Sequence, residues 1–192
     1  MMQRRIVFTF ILLTAAMCVG WMIYVSPAAK NPYAPLPADA RIIYSSNAPD
    51  FSVLKQRPSG ELLKPVFQIL PQVKYSSLIL AAAAAPGRNH CDALIFVSAI
   101  GSRSTLLRWR MEFFLPDGIR SVHSYGAWPV WEIEIPANEP PGRRIRFSIT
   151  EGLLICAISD NSHDIYYLLD TLDGRRPSRM QTELSASLAK GK

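Results

Sequence analysis

The chain has 192 residues, 49% hydrophobic and 19% charged, with 21 basic against 15 acidic side chains and a net charge of +6. That length suits one domain of ordinary size plus accessory segments and excludes a second large core. The positive excess is dispersed: Arg4 and Arg5 flank the first apolar run, and Arg175, Arg176, Arg179, Lys190 and Lys192 lie near the C-terminus. This is the charge pattern of a solvated surface, so nucleic acid is not among the expected partners.

The first element is the apolar run Ile6–Val25, which carries no charged residue. An α-helix needs about 20 such residues to cross the hydrocarbon core of a bilayer. Residues 1–25 therefore read as a single-pass transmembrane signal-anchor with the lipid bilayer as its partner. Arg4 and Arg5 precede the run, and the first cation after it is Lys30. The side richer in Lys and Arg stays cytoplasmic, so the N-terminus is expected inside and the remainder outside, in the periplasm of a Gram-negative cell. A cleaved signal peptide is the alternative: Ser26-Pro27-Ala28 offers a small-x-small site, and cleavage near Ala28 would release a secreted protein. Against it stand the length of the apolar run and the proline within the site. A lipoprotein signal is excluded because Met17, not a small residue, precedes Cys18. Phe8 and Phe10 lack the Gly and Glu that accompany a pilin leader. Within the span, Cys18 serves as a small hydrophobe.

Residues 26–39 follow, with prolines at 27, 32, 35 and 37. Such proline density predicts an extended, semi-rigid spacer. The globular domain is assigned to 40–177 and a polar tail to 178–192. Arg41–Ser45 is expected as a short strand, Asn47–Asp50 as a turn, and Glu61–Leu70 and Tyr75–Ala85 as helical pieces, the first broken by Pro65 and Pro71. The run within Leu78–Ala85 is too short to span a membrane and reads as buried protein. Strands follow at Ala93–Ile100 and at Arg108–Phe113, where polar and apolar residues alternate. Pro116-Asp117-Gly118 signals a turn into a strand over Ile119–Tyr125. Val130–Ile135 alternates again, with Trp131 in phase with Ile133, and Ala137–Gly142 is a loop. Arg144–Thr150 and Leu153–Ser159 form a hairpin reversed at Glu151-Gly152. The sum is an antiparallel meander with one wet and one dry face. A closing helix starts near Asp160, Asn161 and Ser162, places Ile165, Leu168, Leu169 and Leu172 on one face, and stops at Gly174 and Pro177. The expected architecture is α+β: an N-terminal transmembrane helix, then a meander sheet with helices packed on one face.

The opening Leu36-Pro37-Ala38-Asp39 behind an anchor, the strand–Glu151-Gly152–apolar strand hairpin, and the helix ending in Leu172-Asp173-Gly174-Arg175-Arg176-Pro177-Ser178 carry a resemblance. In these segments the chain resembles uncharacterised bacterial membrane-anchored exported α+β proteins of unknown function. The resemblance implies an exported location and an α+β domain, and it transfers no active site.

Chemical motifs are few. The sequence contains no phosphate-binding glycine loop, His-Glu-x-x-His, Cys-x-x-Cys or Gly-x-Ser-x-Gly. His90-Cys91-Asp92 places metal-competent residues side by side, a spacing that does not converge on one ion, so no metal or cofactor is expected. His163-Asp164, with Ser159 and Ser162 nearby, fits helix capping better than a triad, whose members must meet across a fold. Cys91 and Cys156 sit at neighbouring strands of an exported domain, and two states fit them: a disulfide or two buried thiols. Tyr125 and Trp128, around Gly126 in a loop between strands, are the candidates for contact with a partner, since Trp and Tyr bury large areas at low entropic cost. The leading expectation is a membrane-tethered extracytoplasmic domain for protein interaction or envelope assembly, by self-association or with another protein. The alternative is an extracytoplasmic hydrolase using His123 or His163 with a Ser and an Asp.

Overall fold

The computed structural model describes residues 2–25, 30–46, 78–83, 93–133, 144–161 and 163–178. The turn at Asn47–Asp50, the helix over Glu61–Leu70, the loop Ala137–Gly142, Cys91 and the tail beyond Ser178 lie outside the described residues.

The apolar N-terminal run forms one helix, α1 (Met2–Val25). Its stretch Arg4–Trp21 has a mean hydropathy of 1.5, and none of it is buried against protein. At 1.5 Å per residue the helix is about 36 Å long, enough for a hydrocarbon core of about 30 Å. The hydroxyls of Thr9 and Thr14 donate to the carbonyls of Arg5 and Phe10, each at 2.9 Å. These side chains therefore need nothing from the surroundings, as an apolar solvent would demand.

The rest is an α+β unit built on a seven-stranded, fully antiparallel sheet. Its strands are β1 (Arg41–Ser46), β2 (Leu78–Ala83), β3 (Leu94–Ala99), β4 (Ile119–Ser121), β5 (Val130–Ile133), β6 (Arg144–Thr150) and β7 (Leu153–Ser159), with α2 (Arg103–Phe113) after β3 and α3 (Asp164–Leu172) after β7. The spatial order is β1-β2-β3-β7-β6-β5-β4. Two meanders, β1–β3 and β4–β7, are thus joined where β3 pairs with β7.

Several expectations about the sheet and its helices are corrected. Leu78–Ala83 is a strand paired on both sides, to β1 and to β3, and not part of a helix over Tyr75–Ala85. Alanine favours helix locally, but ladders on both flanks override that preference. Arg108–Phe113 is the end of α2 and not a strand. The buried residues Ser104, Leu107 and Met111 fall at helical spacing, while Trp109 and Phe113, which made the pattern look alternating, are exposed. The strand expected over Ile119–Tyr125 ends at Ser121, after which Val122 still donates to the Val130 carbonyl. Helices pack on both faces of the sheet, not one, α2 on one and α3 on the other.

On one face Leu107 and Met111 of α2 pack over a row that crosses four strands in register: Phe96, Cys156, Phe147 and Trp131. Trp131 stacks on Phe147 at 5.6 Å, pointing inward as its phase with Ile133 implied. On the other face Ile165, Leu168, Leu169 and Leu172 of α3 cover Ile95, Val97, Ile155 and Ala157. Burying each such aliphatic is worth about 1.5–3 kcal/mol.

The polar row of β6 is also inside, beside α3. Ser148 donates to the Pro129 carbonyl at 2.8 Å. Arg146 donates to Glu132 at 2.6 Å, and Arg120 binds the other carboxylate oxygen of Glu132. The three residues are opposite one another on β4, β5 and β6. Burial alone would raise the pKa of Glu132; hydrogen bonds and charge from Arg146 and Arg120 outweigh it and hold the carboxyl below its ordinary value.

Residues 26–39 were expected to be spacer, and 30–39 of them are folded onto the domain. Leu36 is wholly buried in the core beneath α3, with Ala40 beside it. Pro37 bridges to Ser178, which is buried and so belongs to the domain and not to the tail. Lys30 pairs with Glu151 at 2.7 Å and donates its backbone N–H to the Glu151 carbonyl. A proline-rich composition fixes the backbone into extended or turn conformations; it does not keep one large apolar side chain from finding a core.

Candidate functional site

The loop between β4 and β5 closes in a two-residue hairpin. Tyr125 and Trp128 exchange backbone hydrogen bonds at 2.8 and 3.1 Å, and Gly126 takes a φ of +60°. Glycine at the first central position of such a turn is the II′ pattern, which suits the twist of the flanking strands. The hairpin projects Tyr125 over α3.

There it meets residues that the chain supplies 40 positions later. The Tyr125 ring stacks on Tyr166 at 4.9 Å, and its hydroxyl donates to Asp170 Oδ1 at 2.8 Å. Asp170 also pairs with Arg175 at 3.4 Å and Arg176 at 3.6 Å, both just past the end of α3. The Arg176 guanidinium lies over the Tyr167 ring, 4.3 Å from its centre. Tyr125, Tyr166, Tyr167, Asp170 and Arg176, with Asn161, His163 and Asp164 from the start of α3, line an open cleft of about 420 Å³. The Tyr125 phenol is held above its ordinary pKa, first by its bond to Asp170, then by burial and by the Asp170 charge, with Arg175 pulling the other way. It is a neutral donor at physiological pH, not a nucleophile.

The cleft offers three tyrosine rings, the Arg176 guanidinium and the carboxylates of Asp164 and Asp170, a surface for recognising a polar or charged side chain. Among the described residues, its lining carries no Ser or Cys. The structure thus brings Tyr125 and His163 together. Trp128 is half-buried against the core beneath α3, where it braces the hairpin. His123 is exposed and does not line the cleft. The Ser159 hydroxyl donates to the Asn161 carbonyl at 2.8 Å, within the loop leading to α3. His163 takes the N-cap position of α3 without a side-chain cap bond, and its ring lies 5.8 Å from Tyr166. Cys156 is a free thiol, fully buried between the Phe96 and Phe147 positions, and burial drives its pKa far up. Among the described residues no three His, Cys, Asp or Glu side chains converge as a metal site requires.

Sequence reasoning reached Tyr125 but missed Tyr166, Tyr167, Asp170 and Arg176. For Tyr166, Tyr167 and Asp170 the signal was the side of α3 opposite its aliphatic stripe; Arg176 lies past the helix end. No family model, curated protein or solved structure matches this chain.

Proposed function

We propose that the chain is a single-pass protein of the cytoplasmic membrane, N-terminus inside, whose α+β domain faces outward and recognises a protein partner through the tyrosine cleft. The observation that carries this reading is Tyr125 stacked on Tyr166 and tied to Asp170 beside the Arg176–Tyr167 pair. Tyr and Arg are enriched among the residues that dominate interface energetics: Tyr brings large contact area with few torsions to freeze, and Arg a planar charged fork that stacks and hydrogen-bonds. In this cleft they are already held by stacking and ion pairs, so little ordering is left to oppose binding. The length and apolarity of α1, with Arg4 and Arg5 before it, support the membrane placement and the orientation.

A photo-crosslinking residue at Tyr167 of the full-length protein in membranes tests the cleft, with one at exposed Ser121 as control. The expected result is a discrete protein adduct at Tyr167 that disappears with Tyr166→Ala or Arg176→Ala. An adduct that survives both substitutions, or one formed equally at Ser121, would count against the cleft as the contact surface. A C-terminal alkaline phosphatase fusion checks orientation: an inactive fusion removes the outward placement.

A further inference from the structure

Among the described residues of the folded domain, the exposed large apolar side chains are concentrated in one place. Trp109, Phe113, Phe114 and Leu115 lie on the outer side and C-terminal end of α2, each between 42% and 66% exposed. The three rings form a cluster, with Trp109 centred 5.5 Å from Phe113 and 5.4 Å from Phe114. They remain exposed although α1 touches α2.

Three further observations point to what covers them. First, the tether is short. Only residues 26–29 separate the end of α1 from Lys30, which is fixed to Glu151 through both backbone and side chain. Five residue steps reach at most about 18 Å, so a bilayer crossed by α1 cannot be far from Glu151. Second, Glu151 is beside α2: it lines one cleft together with Trp109, Arg108 and Ser104. The chain therefore leaves the anchor on the side of the domain that carries the aromatic cluster. Third, α2 bears Arg103, Arg108 and Arg110 against a single acid, Glu112, which Arg108 pairs at 2.8 Å. Aromatic rings with flanking arginines match the layer where acyl chains give way to anionic headgroups.

We propose that the Trp109–Phe113–Phe114–Leu115 patch is seated in the interfacial layer of the bilayer that α1 crosses, so that α2 lies on the membrane and sets the tilt of the domain. This rests on the reading of α1 as a membrane span. The patch and the tyrosine cleft are then separate surfaces, one on α2 and one on α3, carried on opposite faces of the sheet.

The test uses the full-length chain with Cys18 and Cys91 replaced by Ser, reconstituted into vesicles of phosphatidylcholine and phosphatidylglycerol. Nitroxide labels are placed singly at Leu13→Cys, Phe114→Cys, Leu115→Cys and Ser121→Cys, and collision with oxygen is compared with collision with a water-soluble nickel chelate. The expected result is an oxygen-to-nickel ratio several-fold higher at Phe114 and Leu115 than at Ser121, with Leu13 higher still. Both patch positions are exposed, and Leu115 serves as the second site if either variant folds poorly. A Leu13 label in lipid with Phe114 and Leu115 labels in water overturns the seating while leaving the span intact. A Leu13 label in water overturns the span and the seating together. Patch labels shielded from both reagents, with dipolar broadening, mean that a second copy covers the patch, which also overturns the proposal.

Discussion

The Tyr125 hydroxyl meets Asp170 across 2.8 Å, joining a hairpin tip to the middle of a helix 45 residues away in sequence. Tyr125→Phe keeps the stack on Tyr166 and removes this single bond. It should cost about 0.5–1.5 kcal/mol in thermal or urea unfolding. Asp170→Asn removes the charge that opposes ionisation of the phenol, so ultraviolet titration should show one tyrosine ionising at lower pH than in the wild type. An unchanged titration curve would show that Asp170 does not hold the ring.

Glu132 makes stability depend on acid. Its folded pKa lies below its ordinary value of 4.5, so the stability it contributes is present above that pH and is lost as pH falls through the lowered folded value. Glu132→Gln leaves buried Arg146 without its counter-charge and should destabilise the domain at neutral pH by about 3–5 kcal/mol. The same variant should lose less stability than the wild type as pH falls below 4.5. Denaturant midpoints from neutral pH down through that range check both statements, and parallel wild-type and variant curves would contradict the second.

Met111 and Phe113 separate the helical from the extended reading of the second half of α2. A strand would place both on one face; the helix buries Met111 to 2% exposure and leaves Phe113 at 66%. Met111→Ala should cost about 2–5 kcal/mol, whereas Phe113→Ala should fall within about 0.5 kcal/mol of the wild type in detergent. Equal losses would restore the strand.

Cys156 should be chemically silent in the folded protein. Burial removes both access and thiolate character, so a maleimide reagent should leave it unmodified in native protein and label it fully in urea. Mass mapping of the labelled peptides reads this directly, and labelling under native conditions would contradict the packing beneath α2.

The elements legible in the sequence were those whose partners are close along the chain. Glu151-Gly152 announced its hairpin because both residues take positive φ there, and the four aliphatics of α3 announced one buried stripe. Arg108–Phe113 misled because helix burial needs few apolar positions, and exposed Trp109 and Phe113 filled the gaps into an alternation. The polar row of β6 was read as wet because alternation reports chemistry, not exposure; Arg146 and Ser148 are buried with partners on other strands. Leu36 among prolines, and Asp170 under Tyr125, depend on contacts between distant segments, which no local pattern encodes.

The junction of β3 with β7 also bears on how the chain comes to be folded. Strand β3 is made early, yet its second neighbour is synthesised only after α2, β4, β5 and β6. Until β7 arrives, the first meander presents an apolar ladder edge with unpaired amides, a template for wrong pairing. Closing so distant a pair is entropically slow. Strand β7 is therefore the keystone of biogenesis: chains interrupted before Leu153 would leave two half-sheets, each with an open flank, and would be the first substrates of quality-control proteases.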